Sequence, residues 1–251
     1  MTIGFIGVGD MASYMVHGLC RGGDGGDIVL SPRGAGPAAA LANAYGCRVA
    51  ASNEEVVAGS DLVVVAVRPA DVATALDGLP WRGGQVLVSV VAGATLADLA
   101  VAAPAAPVRS MPVSAAAIGD SPTAIYPDEP ATRALYARLG TVIVLPDEGA
   151  FAAASVMGAY HGWVFGVIGQ AAAWLEGQGI PPEQARALAA GMMRGAAGVA
   201  LSGPETPLAE TLARLTTPGG ITEAGFRRMD EVAGLAAWPA ACDAALALME
   251  D

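Results

Sequence analysis

Short apolar runs alternate with alanine-rich helical stretches over about the first 145 residues of this chain. Runs such as Leu62-Val63-Val64-Val65-Ala66 contain no polar residue, which is typical of strands that are covered by helices on both faces. The alternation predicts βαβ units and a mainly parallel sheet. The predicted strands are residues 3–6, 28–30, 48–50, 62–66, 86–88, 108–110, 123–126 and 142–144.

The strand pattern ends near residue 146, and the remaining chain predicts helices that are separated by Gly and Pro breaks. We therefore predict two domains, an α/β domain over residues 1–146 and an all-α domain over residues 147–251. Residues 149–175 carry no charged side chain and are long enough to span a bilayer. Because this stretch is rich in Ala and Gly and contains Tyr160, His161 and Gln170, we interpret it as a helix buried between protein surfaces and expect no membrane.

A glycine-rich turn follows the first predicted strand at once. Its sequence is Gly7-Val8-Gly9-Asp10-Met11-Ala12, a GxGxxA pattern that opens the first helix. Such a turn directs backbone N–H groups and the positive end of the helix dipole at a pyrophosphate. The pattern alone is weak among 33 glycines, but its place between the first strand and the first helix predicts a Rossmann-type dinucleotide site.

The end of the second predicted strand indicates which dinucleotide binds. NAD sites usually carry Asp or Glu there for the ribose 2′-hydroxyl, whereas this chain has Ser31-Pro32-Arg33. A hydroxyl and a forked guanidinium suit a 2′-phosphate. We therefore predict NADPH, with NADH as the less favoured cofactor. The alternative is that Arg33 is only a solvated cation and the site ignores the phosphate.

Composition excludes several classes of function. The formal net charge is −11, with 13 Lys and Arg residues spread along the chain, which argues against nucleic acid as a partner. Three unpatterned cysteines and the lack of a secretion leader indicate a cytoplasmic protein with reduced thiols. The two histidines, His17 and His161, are far apart and no Cys cluster is present, so no metal site is predicted.

Five further sequence blocks follow one another along nearly the whole chain. They are Gly4 to Ala12, Ala66-Val67-Arg68-Pro69, Ser89-Val90-Val91-Ala92-Gly93, Val108-Arg109-Ser110-Met111-Pro112 and Thr217-Pro218-Gly219-Gly220-Ile221-Thr222. In this order they resemble those of pyrroline-5-carboxylate reductases. The resemblance implies a Rossmann domain followed by a helical domain that forms a homodimer by interleaving helices. It also implies a nicotinamide side and a substrate loop over residues 218–222, in which Gly219, Gly220 and Thr222 offer N–H groups and a hydroxyl to the substrate. The implied nicotinamide-side residues are Val67, Arg68, Pro69, Ala92, Gly93, Met111 and Pro112.

Two departures from that family fall where the substrate is expected. Val113 stands where the family has Asn after Met-Pro, which replaces an amide by an apolar side chain. The family's Gly-Ser-Gly-Pro-Ala-Tyr reads Gly158-Ala159-Tyr160-His161-Gly162-Trp163. These changes predict a substrate other than pyrroline-5-carboxylate. We assign His161 as the candidate proton donor, because imidazole titrates near neutral pH, with Tyr160 as the second candidate.

The leading interpretation is an NADPH-dependent reductase of a small cyclic imine. An alternative keeps the cofactor and makes the acceptor a carbonyl, as in hydroxyacid oxidoreductases, although the chain has no Lys to serve as their proton relay. Another alternative is a dinucleotide-binding protein without catalysis. A purely packing role for Tyr160 and His161 is also open, since a lone polar ring on an apolar helix is often a core residue.

Overall fold

The computed structural model describes residues 1–23, 25–232 and 234–250. These residues form two compact units. One unit comprises the described residues of 1–158 with Met249 and Glu250, and the other comprises those of 159–248. The first unit holds the strands, and the second is helical.

Eight strands form one sheet in the order β3-β2-β1-β4-β5-β6-β7-β8. Neighbouring strands are parallel except for β6 and β7, which are antiparallel. The chain crosses from one side of β1 to the other between β3 and β4, as in a Rossmann domain. The predicted mainly parallel sheet is confirmed. The strands are β1 (Ile3–Ile6), β2 (Ile28–Leu30), β3 (Arg48–Val49), β4 (Leu62–Val65), β5 (Val86–Ser89), β6 (Ala106–Met111), β7 (Thr123–Tyr126) and β8 (Val142–Val144).

Helices cover both faces of this sheet, which explains the unbroken apolar sequence of β4. Leu62 and Val64 belong to one buried cluster, whereas Val63 and Val65 belong to a second cluster on the opposite face. The helices of this unit are α1 (Asp10–Leu19), α2 (Ala35–Tyr45), α3 (Asn53–Ala58), α4 (Val72–Leu76), α5 (Leu96–Leu99), α6 (Pro130–Ala137) and α7 (Glu148–Ser155), with short 3₁₀ turns at Pro69–Asp71, Ala100–Ala102 and Ser114–Ile118.

The first compact unit extends beyond the last strand. We placed the domain boundary at residue 146, just after β8, but the contacts continue through α7 to Gly158. Phe151 and Ser155 of α7 are buried, and the guanidinium of Arg109 on β6 lies 4.5 Å from the Phe151 ring centroid. Burial of an apolar helix face against the sheet therefore continues after the strand pattern has ended.

Five further helices follow, and the first of them begins within the last residues of the sheet unit. They are α8 (Met157–Gly177), α9 (Pro182–Ser202), α10 (Leu208–Leu215), α11 (Ile221–Glu231) and α12 (Ala237–Glu250). The helical stretch Glu148–Gly177 is long and apolar enough to cross a membrane, and only 17% of the residues in its apolar 18-residue segment are buried. The predicted burial of this stretch is therefore not achieved within one chain.

Candidate active site

The glycine turn between β1 and α1 uses its two glycines for different purposes. Gly7 has φ +87°, and a Cβ there would lie 2.6 Å from the carbonyl oxygen of Ala66. Gly9 has no heavy atom within 4 Å of an added Cβ, so the space beside it is open. The backbone of Ala66 thus requires glycine at Gly7. At Gly9, only an incoming ligand would require glycine.

This turn lies at the carboxyl end of the central strand, where the strand order reverses. Gly9 is the N-cap of α1 and provides no side-chain cap, so the first N–H groups of α1 have no such acceptor. Val8 and Ala12 are buried, and Ala12 lets the helix lie close to the sheet. Asp10 is exposed and Met11 is half-buried. This is the site at which open α/β sheets bind nucleotides.

The turn after β2 is packed beneath the glycine turn. Ser31 is fully buried, and its Oγ accepts a hydrogen bond of 3.0 Å from the Gly7 N–H. Gly34 has φ +83°, and a Cβ on it would lie 2.5 Å from the carbonyl oxygen of Val8. Ser31 thus supports the glycine turn, which differs from the predicted contact with a 2′-phosphate. Arg33 is exposed and Pro32 is half-buried, so the guanidinium remains available to a ligand.

The residues assigned to the nicotinamide side follow the carboxyl ends of β4, β5 and β6. The strand register makes these ends neighbours, since Val65 pairs with Ser89 and Ser89 pairs with Arg109. Of the assigned residues, Arg68, Pro69 and Ala92 are exposed, Val67, Gly93 and Met111 are half-buried, and Pro112 is buried. The Nε of Arg68 pairs with Asp71 at 3.0 Å.

Val113, which we predicted to contact the substrate, is 6% exposed. Its N–H donates to the Oγ of Ser121 at 3.0 Å. The Val113 N–H is thus already hydrogen-bonded within the loop after β6. An apolar residue is favoured at this buried position whatever the substrate.

Gly158, the first residue of the altered block, lies beside Met111, one of the residues assigned to the nicotinamide side. A Cβ on Gly158 would lie 3.3 Å from the Sδ of Met111 and 3.8 Å from its Cγ. The start of α8 therefore lies against the Met111 thioether, at a distance where a small residue fits best. Within the block Gly158 to Trp163, Gly158 is a position at which this chain keeps the residue of the pyrroline-5-carboxylate reductase pattern.

Tyr160 and His161 lie on different sides of α8. The Tyr160 ring contacts Trp238 of α12, with 5.1 Å between ring centroids. The His161 ring meets Phe165 edge to face at 5.2 Å, one turn further along α8. Burial lowers the pKa of His161 below its usual value of 6.5. Successive helical residues are about 100° apart, and the two rings accordingly pack against different partners.

The predicted substrate loop forms the start of α11. Gly219 has φ +73°, and its N–H donates to the Oε2 of Glu223 at 2.8 Å. The Gly220 N–H donates to the carbonyl oxygen of Thr217 at 2.9 Å, and Gly220 is the N-cap of α11. Thr222 is half-buried in the first turn of that helix. The loop is thus a tight turn followed by a helix N-terminus without a side-chain cap.

Sequence reasoning did not identify two features of the structure. The first is an ion pair, 2.9 Å apart, between the buried Arg109 and the partly exposed Glu148, whose signal in the sequence is a charged residue inside an apolar strand. The second is the contact of Trp238 with Tyr160 and Trp163. No periodicity indicated it, because Trp238 comes from a distant helix. Among the described residues, no group of three or more His, Cys, Asp or Glu side chains is placed to hold a metal ion.

Comparisons with known proteins agree with the two-part organisation. Residues 2–93 match the family model described as NADP oxidoreductase coenzyme F420-dependent. Residues 148–250 match the model of pyrroline-5-carboxylate reductase dimerisation. In solved structures, the fold is similar to that of Plasmodium falciparum pyrroline carboxylate reductase with NADP bound, with a TM-score of 0.88 at 18% identity, covering 99% of this chain and 97% of that chain.

Full-length relatives extend this agreement to the whole sequence. Pyrroline-5-carboxylate reductase 2 of Bacillus subtilis is 28% identical over 243 residues, which cover 91% of this chain and 87% of that protein. Pyrroline-5-carboxylate reductase of Pseudomonas aeruginosa is 31% identical over 238 residues, covering 90% of this chain and 87% of the relative. The chain therefore belongs to the pyrroline-5-carboxylate reductase family.

Proposed function

We propose that this protein is an NADPH-dependent reductase that transfers hydride to the C=N bond of a small cyclic imine. The observation that carries the proposal is the open space at Gly9, which lies in a glycine turn at the carboxyl end of the central strand. Family membership supports the reaction class. The altered block at Tyr160 and His161 supports a substrate other than pyrroline-5-carboxylate.

The residues of the first unit fit a dinucleotide. The uncapped N–H groups at the start of α1 would hold the pyrophosphate, since a helix N-terminus favours an anion. The exposed Arg33 guanidinium would bind the 2′-phosphate, and Ser31 would act by holding the turn through Gly7. The residues after β4, β5 and β6 would orient the nicotinamide ring. Bound NADPH supplies the hydride, and the protein supplies orientation and a proton.

The residues of the second unit would bind the acceptor. The Thr222 hydroxyl would hold a polar group of the imine together with the uncapped N–H groups at the start of α11. The N–H groups of Gly219 and Gly220 would join them by exchanging their bonds to Glu223 and to the Thr217 carbonyl for the substrate. His161 would donate the proton that the nitrogen needs as hydride arrives. Tyr160 is the weaker candidate, because its ring packs at a tilt against Trp238. Carbonyl reduction is the second candidate reaction, and the absence of Lys from the chain disfavours it.

We also propose that the protein works as a cytoplasmic homodimer formed through the helical unit. The apolar side chains exposed on the second unit would be costly in water, since monomers rarely expose large apolar patches. A second copy of the chain would cover them, in place of a membrane. Among them are Leu188, Met192, Val199, Leu208, Leu212 and Leu215.

The proposed activity is tested by following NADPH oxidation at about 340 nm with five- and six-membered cyclic imines and matching ketones. We expect turnover of at least one imine other than pyrroline-5-carboxylate and little turnover of the ketones. The Arg33→Ala variant should lose about 10- to 100-fold in NADPH affinity and keep its NADH affinity, because a charged hydrogen bond contributes about 1.5–3 kcal/mol. Arg133→Ala, which removes an exposed partner of Asp128, is the matched control. Equal loss for both cofactors would remove Arg33 from phosphate recognition.

The pH dependence of turnover tests His161 as the donor. A donor must be protonated, and burial lowers the pKa of this imidazole below 6.5. We therefore expect kcat/KM to fall as pH rises through that lowered pKa, with the highest activity in weakly acidic buffer. His161→Gln cannot titrate and should lose this decline. Because both proteins are assayed with the same imine, titration of the substrate cancels from the comparison. An unchanged profile in the variant would exclude His161 as the donor.

A further inference from the structure

Glu148 of α7 connects two other segments of the sheet unit through a single oxygen. Its Oε1 accepts a hydrogen bond of 2.8 Å from the Leu96 N–H and one of 2.9 Å from the Arg109 guanidinium. Arg109 lies on β6, whereas Leu96 is the first residue of α5 and follows the loop after β5. One carboxylate oxygen therefore holds the loop after β5 and the end of β6 at a fixed spacing.

Both of these segments carry residues that are assigned to the nicotinamide side. Ala92 and Gly93 lie in the loop just before Leu96, and Met111 lies two residues after Arg109 on β6. Because side chains alternate along a strand, Arg109 and Met111 point to the same face of the sheet. A displacement of Arg109 or of Leu96 would therefore be passed on to residues of the nicotinamide side.

The end of the loop after β5 is also held by a capping box. The Asp98 N–H donates to Thr95 Oγ1 at 3.1 Å, and the Thr95 N–H donates to Asp98 Oδ2 at 2.8 Å. The Thr95 hydroxyl and N–H lower the pKa of Asp98, and the charge of Arg109 lowers it further. The Arg109 guanidinium thus acts on the end of this loop through Asp98 as well as through Glu148.

The position of Arg109 depends on Glu148. The Arg109 side chain is 6% exposed, so water has little access to replace a lost carboxylate. Its Nε has no hydrogen-bond partner among the described residues, and the Phe151 ring lies 4.5 Å from the guanidinium carbon. A buried guanidinium without its carboxylate is costly. Loss of Glu148 would therefore displace the guanidinium and with it the end of β6.

We propose that Glu148 is a positioning residue for the nicotinamide ring, which it holds in place through the two segments and not by direct contact. The inference rests on the proposed reductase function, in which the strand ends beyond the switch point orient that ring. Ala92, Gly93 and Met111 are small or apolar, so their side chains leave room for a flat ring and offer it no strong hydrogen bond. The spacing between the two segments then sets where the ring lies.

The inference is tested by comparing Glu148→Ala with Glu148→Gln. The amide oxygen of glutamine can accept the same two hydrogen bonds, whereas alanine can accept neither. We expect the single-turnover rate of NADPH oxidation, measured with the cyclic imine that the unchanged protein reduces fastest, to fall at least about 10-fold in Glu148→Ala, because misplaced reactants react slowly. Glu148→Gln should stay within about 3-fold of the unchanged protein. Affinity for NADPH should change less than about 3-fold in both variants, since its phosphates are bound elsewhere.

Two further readouts need no turnover. The fluorescence of the reduced nicotinamide reports the motion of the ring in bound NADPH, so its anisotropy decay should gain a fast component in Glu148→Ala. Hydrogen exchange of residues 90–96 without cofactor should also be faster in that variant, because the Leu96 N–H has lost its acceptor. Glu148→Gln should resemble the unchanged protein in both measurements.

Leu135→Ala is the control for a loss of stability alone. Leu135 is fully buried on α6, so its truncation removes core packing and leaves the hydrogen bonds of Glu148 in place. Each variant is assayed at a temperature at which it is folded. Leu135→Ala should unfold more easily than the unchanged protein, yet keep its single-turnover rate and its NADPH fluorescence decay.

The possible outcomes separate this inference from the reductase proposal. If Glu148→Ala keeps the rate and the fluorescence decay, as Leu135→Ala is expected to do, Glu148 only stabilises the fold and the inference is overturned. Equal losses in Glu148→Ala and Glu148→Gln would also overturn it, because the charge and not the two hydrogen bonds would then matter. Faster motion of the ring in Glu148→Ala alone, without turnover of any imine by the unchanged protein, would support the positioning role and overturn the reductase proposal.

Discussion

Replacing Gly9 by alanine is expected to abolish most NADPH binding while leaving the fold intact, whereas replacing Gly7 by alanine should destabilise the fold itself. No heavy atom lies within 4 Å of a Cβ on Gly9, so the protein accommodates the added methyl group. Only a pyrophosphate bound at this turn, as proposed, would meet it. A Cβ on Gly7 would meet the Ala66 carbonyl oxygen at 2.6 Å, with φ +87°. Left-handed backbone alone costs a non-glycine residue about 1–2 kcal/mol, and the clash adds to it.

Two measurements on the same variants separate the effects. Thermal unfolding without nucleotide should show Gly9→Ala close to the unchanged protein and Gly7→Ala less stable by about 2–4 kcal/mol. Titration with NADPH should show at least about a 100-fold loss of affinity for Gly9→Ala, which corresponds to about 2.7 kcal/mol. Gly22→Ala, at another glycine with open space, is the control for the substitution. Full NADPH affinity in Gly9→Ala would place the pyrophosphate elsewhere.

The sheet could be predicted from sequence because its strands carry their own signal. A strand covered by helices on both faces must be apolar throughout, as in Leu62-Val63-Val64-Val65, and the turns between such strands are marked by Gly and Pro. The glycine turn could be predicted for a related reason. The backbone conformation requires glycine at Gly7, and the proposed approach of a pyrophosphate would require it at Gly9, so both signals lie in a few adjacent residues.

The details of the site could not be predicted because they depend on contacts between distant segments. Ser31 precedes Arg33 by two residues, yet it is buried under Gly7, and only the path of the chain after β2 decides this. The neighbours Tyr160 and His161 suggested one pocket. The helical rotation between them separates their partners, and Trp238 is selected by the fold of the last helix.

The burial of the second, helical unit could not be predicted either, because it also depends on contacts between distant surfaces. Its apolar residues follow no single stripe on α8, and burial within one chain is low along that helix. Amphipathic periodicity arises when a helix has one buried face and one solvated face. A helix that meets other protein surfaces on several sides has no reason to show it. The weak periodicity of α8 is therefore consistent with the proposed dimer.

Replacing Glu148 by alanine is expected to destabilise the first unit by about 2 kcal/mol, because it strands a buried guanidinium. Arg109 is 5% exposed, and its Nε has no hydrogen-bond partner among the described residues. Glu148 Oε1 accepts from Arg109 at 2.9 Å and from the Leu96 N–H at 2.8 Å, which ties β6, α5 and α7 together. Breaking a fully buried pair costs about 3–5 kcal/mol, and the partial exposure of Glu148 reduces this value.

Urea unfolding at one fixed protein concentration measures this effect, because the stability of a dimer depends on concentration. Asp128→Ala breaks the exposed pair with Arg133 and should cost less than about 0.5 kcal/mol. Adding Arg109→Met to Glu148→Ala should recover part of the lost stability, since it removes the unpaired charge and keeps an apolar side chain beside Phe151. If the double variant were less stable than Glu148→Ala alone, the stacking of Arg109 on Phe151 would outweigh the ion pair in fixing α7 to the sheet.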